Sequence, residues 1–190
     1  MNTTATDNPT KTLWRDAAAE GGIIGTILFI AMLLDDFTAH ELAEVIYFIK
    51  VVVLAGGIYI FTRRRSQKYA ATGFTIRQAM NYIFAMMVFT GFITGIENYL
   101  AIKFIAPDFY QSAFENAQAS VKTIMESMRN TTGDRQIWDE LILEYENRWL
   151  DTVNNPITYI ISGIVGKIIA GGIIGILISL KIKRQLTRNR

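Results

Sequence analysis

The chain contains four long stretches of mostly apolar residues, and polar segments separate them. A helix needs about 20 mostly apolar residues to cross roughly 30 Å of hydrocarbon, so each stretch predicts one membrane-spanning helix. The third is the strongest, because it carries no charge from residue 78 to residue 96. The pattern predicts an all-α, integral membrane four-helix bundle, formed by the whole chain as a single domain. The four predicted spans are residues 13–34, 42–62, 79–105 and 157–180.

The first stretch is the weakest of the four, because Arg15, Asp16 and Glu20 interrupt it. A hairpin of buried helices in a soluble protein is the alternative interpretation. Against it, 51% of the 190 residues are hydrophobic, which is more than an ordinary soluble domain contains. The first stretch lacks a small-residue cleavage site, so we expect it to remain in the protein as a signal anchor.

Basic residues cluster at two places in the chain, and short connections rich in lysine and arginine stay in the cytoplasm. One cluster lies in the connection 63–78, and the other follows residue 180. The first connection, 35–41, contains acidic residues and neither lysine nor arginine. The distribution therefore predicts that both termini are cytoplasmic (N-in/C-in) and that 63–78 is a basic cytoplasmic loop.

The segment 106–156 contains nine acidic and four basic residues, so we expect it on the extracytoplasmic side. Its apolar residues recur at helical spacing, which predicts two amphipathic helices. Residues 130–133 separate them, and Asp134 is a plausible N-cap for the second. Two arrangements remain open. The helices lie in the headgroup region of the membrane, or they pack on each other as a helical hairpin above it.

Each predicted span contains one deeply placed ionisable residue, and charges inside a bilayer are usually paired or exposed to an aqueous cavity. Three of them, Lys50, Glu97 and Lys167, lie 8 to 10 residues from the outer ends of their spans. With Asn98 they form a predicted intramembrane polar layer. We hypothesise an ion pair between Glu97 and Lys167, with Lys50 joining it or extending to the outer interface. The layer is a structural clamp or part of a substrate or proton pathway, and Glu20 is expected at the cytoplasmic edge.

The pentapeptide Gly-Gly-Ile-Ile-Gly occurs in the first predicted span and again in the fourth, at similar depth. Small residues spaced four apart let helix backbones approach closely. The two copies therefore predict close antiparallel packing of the first and fourth helices, and the third helix repeats the spacing. A homodimer that uses the same residues is the alternative. The predicted helix-packing residues are Gly21, Gly25, Gly91, Gly95, Gly171 and Gly175.

Residue types that carry common catalytic and metal chemistry are scarce in this chain. It has no cysteine and a single histidine, His40, so thiolate and paired-histidine metal sites are excluded. Gly166 and Lys167 lack the upstream glycine and the following hydroxyl residue of a phosphate-binding loop. We therefore predict no catalytic residue, no cofactor and no metal, and an enzyme is the less favoured class.

The run R-R-R-S-Q-K-Y-A-A-T-G-F-T-I-R-Q-A-M, which begins at residue 63, is similar to the signature of domain-of-unknown-function family 4199. The resemblance covers residues 12–186 and implies four hydrophobic helices, a basic inner loop and an acidic amphipathic insertion. Members are mostly from Bacteroidota, which implies a bacterial inner membrane. It also implies one partner, a polyprenyl-phosphate glycosyltransferase, because such enzymes are encoded near family members. The matching positions are Lys68, Tyr69, Gly73, Phe74 and Ala79.

The basic loop has its own predicted contacts, because lysine and arginine near a cytoplasmic surface attract anionic headgroups by about 1 kcal/mol each. We expect Arg63, Arg64, Arg65 and Lys68 to contact lipid headgroups, although they could serve only to fix the topology. No nucleic-acid partner is expected.

Three functions are compatible with these patterns. The favoured one is a non-catalytic accessory or scaffold subunit for a membrane-bound partner. A small transporter or channel that uses Glu97 and Lys167 is the alternative. A membrane enzyme acting on a lipid-linked substrate is the second alternative; it requires clustered polar residues at an interface pocket, and the sequence reveals no such cluster.

Overall fold

A computed structural model describes residues 12–38, 41–69, 74–105, 107–132 and 135–188. These residues form helices and no β-strand. A short π-helical turn, Ala101–Ile105, directly follows the third helix. The α-helices are α1 (Leu13–Phe37), α2 (Ala43–Lys68), α3 (Ile76–Leu100), α4 (Pro107–Thr132), α5 (Arg135–Asn154) and α6 (Pro156–Arg188).

Four of these helices are long and apolar enough to cross a membrane, which confirms the predicted all-α membrane fold. Their span-like segments are Leu13–Asp35, Ala43–Lys68, Ile76–Ile105 and Pro156–Ile182. The main difference from the prediction is the end of α2, which continues as helix through Lys68. The first six residues of the predicted basic loop, 63–68, are therefore helical.

Local capping explains where two of the membrane helices begin. Thr75 and Gln78 form a capping box at the start of α3: the Gln78 N–H donates to Thr75 Oγ1 at 3.2 Å, and the Thr75 N–H donates to Gln78 Oε1 at 2.8 Å. Asn155 caps α6, because its Oδ1 accepts the Ile157 N–H at 3.0 Å. Pro156 occupies the first helical position, where its missing N–H costs nothing.

The described chain divides into two compact units, and the larger comprises Met1–Glu97 with Ile160–Arg190. Helix α3 is the most enclosed helix of this unit, since 56% of its most apolar 18-residue stretch is buried. The corresponding share for α6 is 11%. Because lipid is as apolar as leucine, close packing rather than exclusion from water must hold such helices together. The core cluster of this unit includes Ala17, Ile24, Leu28, Leu54, Ile58, Tyr82, Ile83, Ala85, Met86 and Met87.

Both glycine pentapeptides pack against α3, which corrects the prediction that they pack against each other. A Cβ added at Gly21 would collide with the Met86 carbonyl oxygen, and one at Gly171 would collide with the Met87 side chain. Thr90 Oγ1 also donates to the Gly21 carbonyl oxygen at 3.0 Å. Helix α3 thus offers one face to α1 and a second face to α6, so each copy finds its close contact there. The nearest neighbours of Gly25 and Gly175 are likewise side chains of α3.

Helices α3 and α6 approach each other most closely at glycine. A Cβ at Gly91 would meet the backbone of Ile164, and a Cβ at Gly163 would lie 2.8 Å from the Gly95 Cα. Gly91 and Gly95 therefore take part in a contact within the chain. The homodimer through the same residues was the alternative prediction for them.

The second unit, Asn98–Tyr159, contains the π-helical turn, α4 and α5. Helices α4 and α5 contact each other, and Arg129 forms an ion pair with Asp139 at 3.0 Å. Lys103 Nζ donates to Asn154 Oδ1 at 2.8 Å, which ties the turn to the end of α5. Asp134, the predicted N-cap, lies outside the described residues. Helices α4 and α5 thus contact each other, and both arrangements, a hairpin above the membrane and helices in the headgroup region, stay predictions.

Candidate functional site

Helices α1, α2 and α3 surround a cavity of about 380 Å³ within the larger unit. Two acidic and three basic side chains meet there, beside one tyrosine. We call it the interhelical cavity. Its lining residues are Asp16, Ala19 and Glu20 from α1, Arg64, Arg65 and Lys68 from α2, and Tyr82 from α3.

Helical spacing explains why these charged side chains share one space. Asp16 and Glu20 are four residues apart on α1, and Arg64 and Lys68 are four residues apart on α2. Residues at this spacing lie on the same helix face. The first turns of α1 and the last turns of α2 are brought together because the two helices contact each other. The cavity thus lies at one end of the bundle, where these two helices respectively begin and end.

Arg65 is the central fixed charge of the interhelical cavity. Its Nη1 donates to Asp16 Oδ2 at 2.8 Å, and its side chain is only 5% exposed. The guanidinium also lies over the Tyr82 ring at 4.5 Å and near the Tyr69 ring at 5.2 Å from the centroids. A planar, always charged group can pair with a carboxylate and stack on aromatic rings at once. Arg65 is therefore committed within the protein, which corrects its predicted role as a headgroup contact.

Several positions of the family signature support this cavity. Lys68 lines it, and Tyr69, beside it, holds Arg65 from one side. The Tyr69 hydroxyl is hydrogen-bonded to Thr12 Oγ1 at 2.9 Å, which connects the end of α2 to the start of α1. Ala79 is buried, and Gly73 lies outside the described residues. The signature thus contributes to an interhelical contact as well as to a basic loop.

Two polar atoms in the cavity lining lack a hydrogen-bond partner among the described residues. They are Glu20 Oε2 and the Tyr82 hydroxyl, and Tyr82 is 0% exposed. A buried polar atom without a partner is rare in folded proteins because the lost hydration is not replaced. Asp16 and the three cations, Arg64, Arg65 and Lys68, all lie close enough to Glu20 to act on its charge. The residues that line the cavity therefore include an acceptor and a donor without a hydrogen-bond partner among the described residues.

The predicted polar layer lies elsewhere in the bundle. Glu97 is buried on α3. The half-buried Lys167 of α6 interacts electrostatically with Glu97 and Lys50. Lys50 Nζ lies 3.8 Å from Asp35 Oδ2, so its stem extends toward the end of α1. Both alternatives for Lys50, joining the layer or extending to the outer interface, stay predictions. The Glu97–Lys167 ion pair stays a prediction, and Asn98, which is exposed, belongs to the other compact unit.

The remaining basic side chains at the end of α2 are exposed. Arg63 lies 5.9 Å from the Tyr59 ring centroid, and Lys181 of α6 lies 5.1 Å from the same centroid. The two basic segments therefore lie at the same end of the bundle, as an even number of crossings requires. The headgroup contacts expected for Arg63, Arg64 and Lys68 stay predictions.

Sequence reasoning missed the interhelical cavity. It treated Asp16 and Glu20 as interruptions of a weak span and Arg64 to Lys68 as a loop. The available signal was that Asp16 and Glu20, near the start of the first span, and Arg64 and Lys68, just after the second, are each four residues apart. A polar cluster of this kind is what the lipid-linked-substrate hypothesis requires. Among the described residues, no group of three histidine, cysteine, aspartate or glutamate side chains could hold a metal ion; His40 lies outside them.

The fold and the cavity define a multi-pass α-helical membrane protein with a charged site between three of its helices. A family model described as "Protein of unknown function (DUF4199)" matches residues 19–184. The chain belongs to this family, as its signature between the second and third spans indicated. Comparison with curated proteins and with solved structures gave no significant match to either.

Proposed function

We propose that this protein is a non-catalytic accessory or scaffold subunit for a membrane-bound partner in the bacterial inner membrane. In this proposal both termini are cytoplasmic and the segment 106–156 faces outward. The observation that carries it is a set of exposed apolar residues on α4 and α5, which are not among the helices apolar enough to cross a membrane. These residues are Ile124, Met128, Ile137, Leu141 and Leu143, and we call them the insertion's apolar surface.

The insertion's apolar surface is unusual because α4 and α5 already contact each other. Each of its side chains is between 41% and 60% exposed despite that contact. Ile124 and Met128 share one face of α4, and Ile137 and Leu141 share one face of α5, because each pair is four residues apart. Exposed apolar residues grouped in this way mark a contact with another molecule. The two helices contact each other and share the Arg129–Asp139 ion pair, so both contribute to this surface.

A photocrosslinking amino acid placed on this surface in living cells tests the proposal. We expect substitution at Ile124, Met128 or Leu141 to give the same protein adduct. Substitution at Glu126 or Glu140, exposed polar positions on the same two helices, is the matched control and should give none. A polyprenyl-phosphate glycosyltransferase is the first partner to look for in the adduct. An adduct of twice the mass of the chain would identify a homodimer instead. Adducts to lipid alone would place the surface on the membrane and contradict the proposal.

A small transporter or channel is the second candidate function, and the burial of Glu97 favours it. A carboxylate at 4% exposure inside a span-length helix is costly and is commonly retained for ion or proton movement. Neither Glu97 nor Lys167 lines the interhelical cavity. A charge swap distinguishes a structural clamp from a pathway. If the pair is a clamp, the double variant Glu97→Lys/Lys167→Glu is expressed better than either single variant. If the pair forms a pathway, Glu97→Gln is expressed normally but abolishes transport in proteoliposomes.

A further inference from the structure

We propose that the interhelical cavity binds the head group of an aminophospholipid. The lipid phosphate would contact Arg64 and Lys68, and its ammonium group would contact Glu20. The cavity and the insertion's apolar surface share no residue, so a negative result at one leaves the proposal for the other unaffected. The chemistry required of the ligand is a phosphate and a primary ammonium held a few atoms apart.

The basic side of the cavity has two cations in addition to Arg65, and the ammonium of one of them, Lys68, lies 5.4 Å from the centroid of the Tyr69 ring. Arg64 and Lys68 are exposed, line the cavity, and form no ion pair with any described residue. Arg65, between them in sequence, is already paired with Asp16 and stacked on Tyr82. An arginine and a lysine on one helix face can hold a phosphate through charge-assisted hydrogen bonds. The buried Arg65–Asp16 pair keeps that face in place.

The acidic side of the cavity favours a cationic group on the same ligand. Glu20 Oε2 is buried and accepts no hydrogen bond from any described residue. A primary ammonium has three donors and can satisfy such an oxygen. The Tyr82 hydroxyl, also without a partner among the described residues, can donate to a phosphate oxygen. A purely anionic head group would leave the Glu20 oxygen unsatisfied beside its own negative charge.

The place and size of the cavity suit a head group. Asp16 and Glu20 belong to the first two turns of α1, and Arg64 to Lys68 are the last residues of α2. The ends of spanning helices lie at the level of lipid headgroups. A volume of about 380 Å³ is at the lower end of the roughly 300–1,000 Å³ found for small-ligand sites. Phosphatidylethanolamine has the required phosphate and primary ammonium.

Native mass spectrometry of the full-length protein in detergent can test this assignment. The protein is titrated separately with phosphatidylethanolamine, phosphatidylglycerol and phosphatidylcholine of identical acyl chains. We expect one phosphatidylethanolamine to be retained about tenfold more tightly than either other lipid, the difference expected for one charge-assisted hydrogen-bonded group. Phosphatidylglycerol lacks the ammonium, and the quaternary ammonium of phosphatidylcholine has no N–H donor. Equal retention of all three lipids by the unmodified protein would overturn the proposal without recourse to any variant.

Matched variants assign the two halves of the site. Arg64→Gln/Lys68→Gln should weaken phosphatidylethanolamine binding about tenfold or more. The control Arg77→Gln/Lys181→Gln removes the same charge from exposed positions outside the cavity and should leave binding unchanged. Glu20→Gln should abolish the preference over phosphatidylglycerol while phosphatidylglycerol is still retained. A preference that survives Glu20→Gln, or equal losses in the two double variants, would contradict the assignment.

A soluble competitor distinguishes a lipid from a free ligand of the same chemistry. Glycerophosphoethanolamine has the complete head group without acyl chains, and inorganic phosphate has only the anion. If the site takes a lipid, neither should displace bound phosphatidylethanolamine at millimolar concentration, because the acyl chains contribute to affinity. Displacement by glycerophosphoethanolamine at that concentration would overturn the lipid assignment in favour of a soluble ligand.

Discussion

Arg65 forms an ion pair and two ring contacts at once. Its side chain is 5% exposed, paired with Asp16 and placed over the rings of Tyr82 and Tyr69. Burial of an arginine is tolerated when its charge is paired and its flat faces are covered. Removing either partner of such a pair leaves the other charge uncompensated, which is the costly outcome. The residue therefore stabilises the contact between α1, α2 and α3.

Arg65→Gln should lower the free energy of unfolding by about 3 kcal/mol, the lower end for breaking a buried ion pair because Asp16 is partly exposed. Arg65→Lys should recover only part of this, since a lysine ammonium lacks the planar face that stacks on both rings. The thermal midpoint of the purified protein in detergent measures both effects. Arg77→Gln, at an exposed position on α3, is the control. An Arg65→Gln midpoint equal to that of the control would show that the pair contributes nothing.

At the scale of elements, α3 is the helix on which α1 and α6 pack. Glycines of α1 and of α6 approach it from two sides, and its own Gly91 meets the backbone of α6. Such close approach leaves no room for a side chain, and van der Waals contact along it replaces the missing hydrophobic driving force. The packing of α1 and α6 in the larger unit therefore depends on α3.

Gly91→Ala should destabilise the protein by about 1–3 kcal/mol, because the added methyl group overlaps the Ile164 backbone. Gly166→Ala on α6 is the matched control, since no atom lies within 4 Å of the position of its Cβ. That change should be neutral or slightly stabilising, as alanine favours a helix by up to about 1 kcal/mol over glycine. Thermal unfolding in detergent compares the two variants. Similar midpoints would mean that the α3–α6 contact is looser than described.

The four spans were predictable from sequence because each is a local property of about 20 consecutive residues. The start of α3 was also within reach, since Thr75 and Gln78 have the spacing of a capping box. The partners of the glycine pentapeptides were not, because spacing shows that a face is small and does not show which helix meets it. The interhelical cavity depends on contacts such as Arg65 with Asp16, 49 residues apart. Only the packed bundle brings those residues together.

For the whole molecule, the distribution of charge predicts an orientation that can be measured. The chain has no cysteine, so single cysteines introduced at Gln67 and Glu126, both exposed, report sidedness without interference. A membrane-impermeant maleimide added to intact cells should label position 126 and not position 67, and permeabilised cells should label both. Labelling of position 67 in intact cells would reverse the proposed orientation.

The contact between Asp16 and Arg65 also has a consequence for how the chain enters a membrane. Asp16 and Glu20 oppose insertion of α1 by itself, because each carboxylate near a helix centre costs a few kcal/mol in translocon-based scales and less near its end. The compensating cation is on α2, which is synthesised later. We therefore expect α1 to reach its final depth only when α2 follows, so that the translocon releases the two as one helical hairpin. Ribosome-stalled chains that end before residue 65 should leave α1 incompletely inserted.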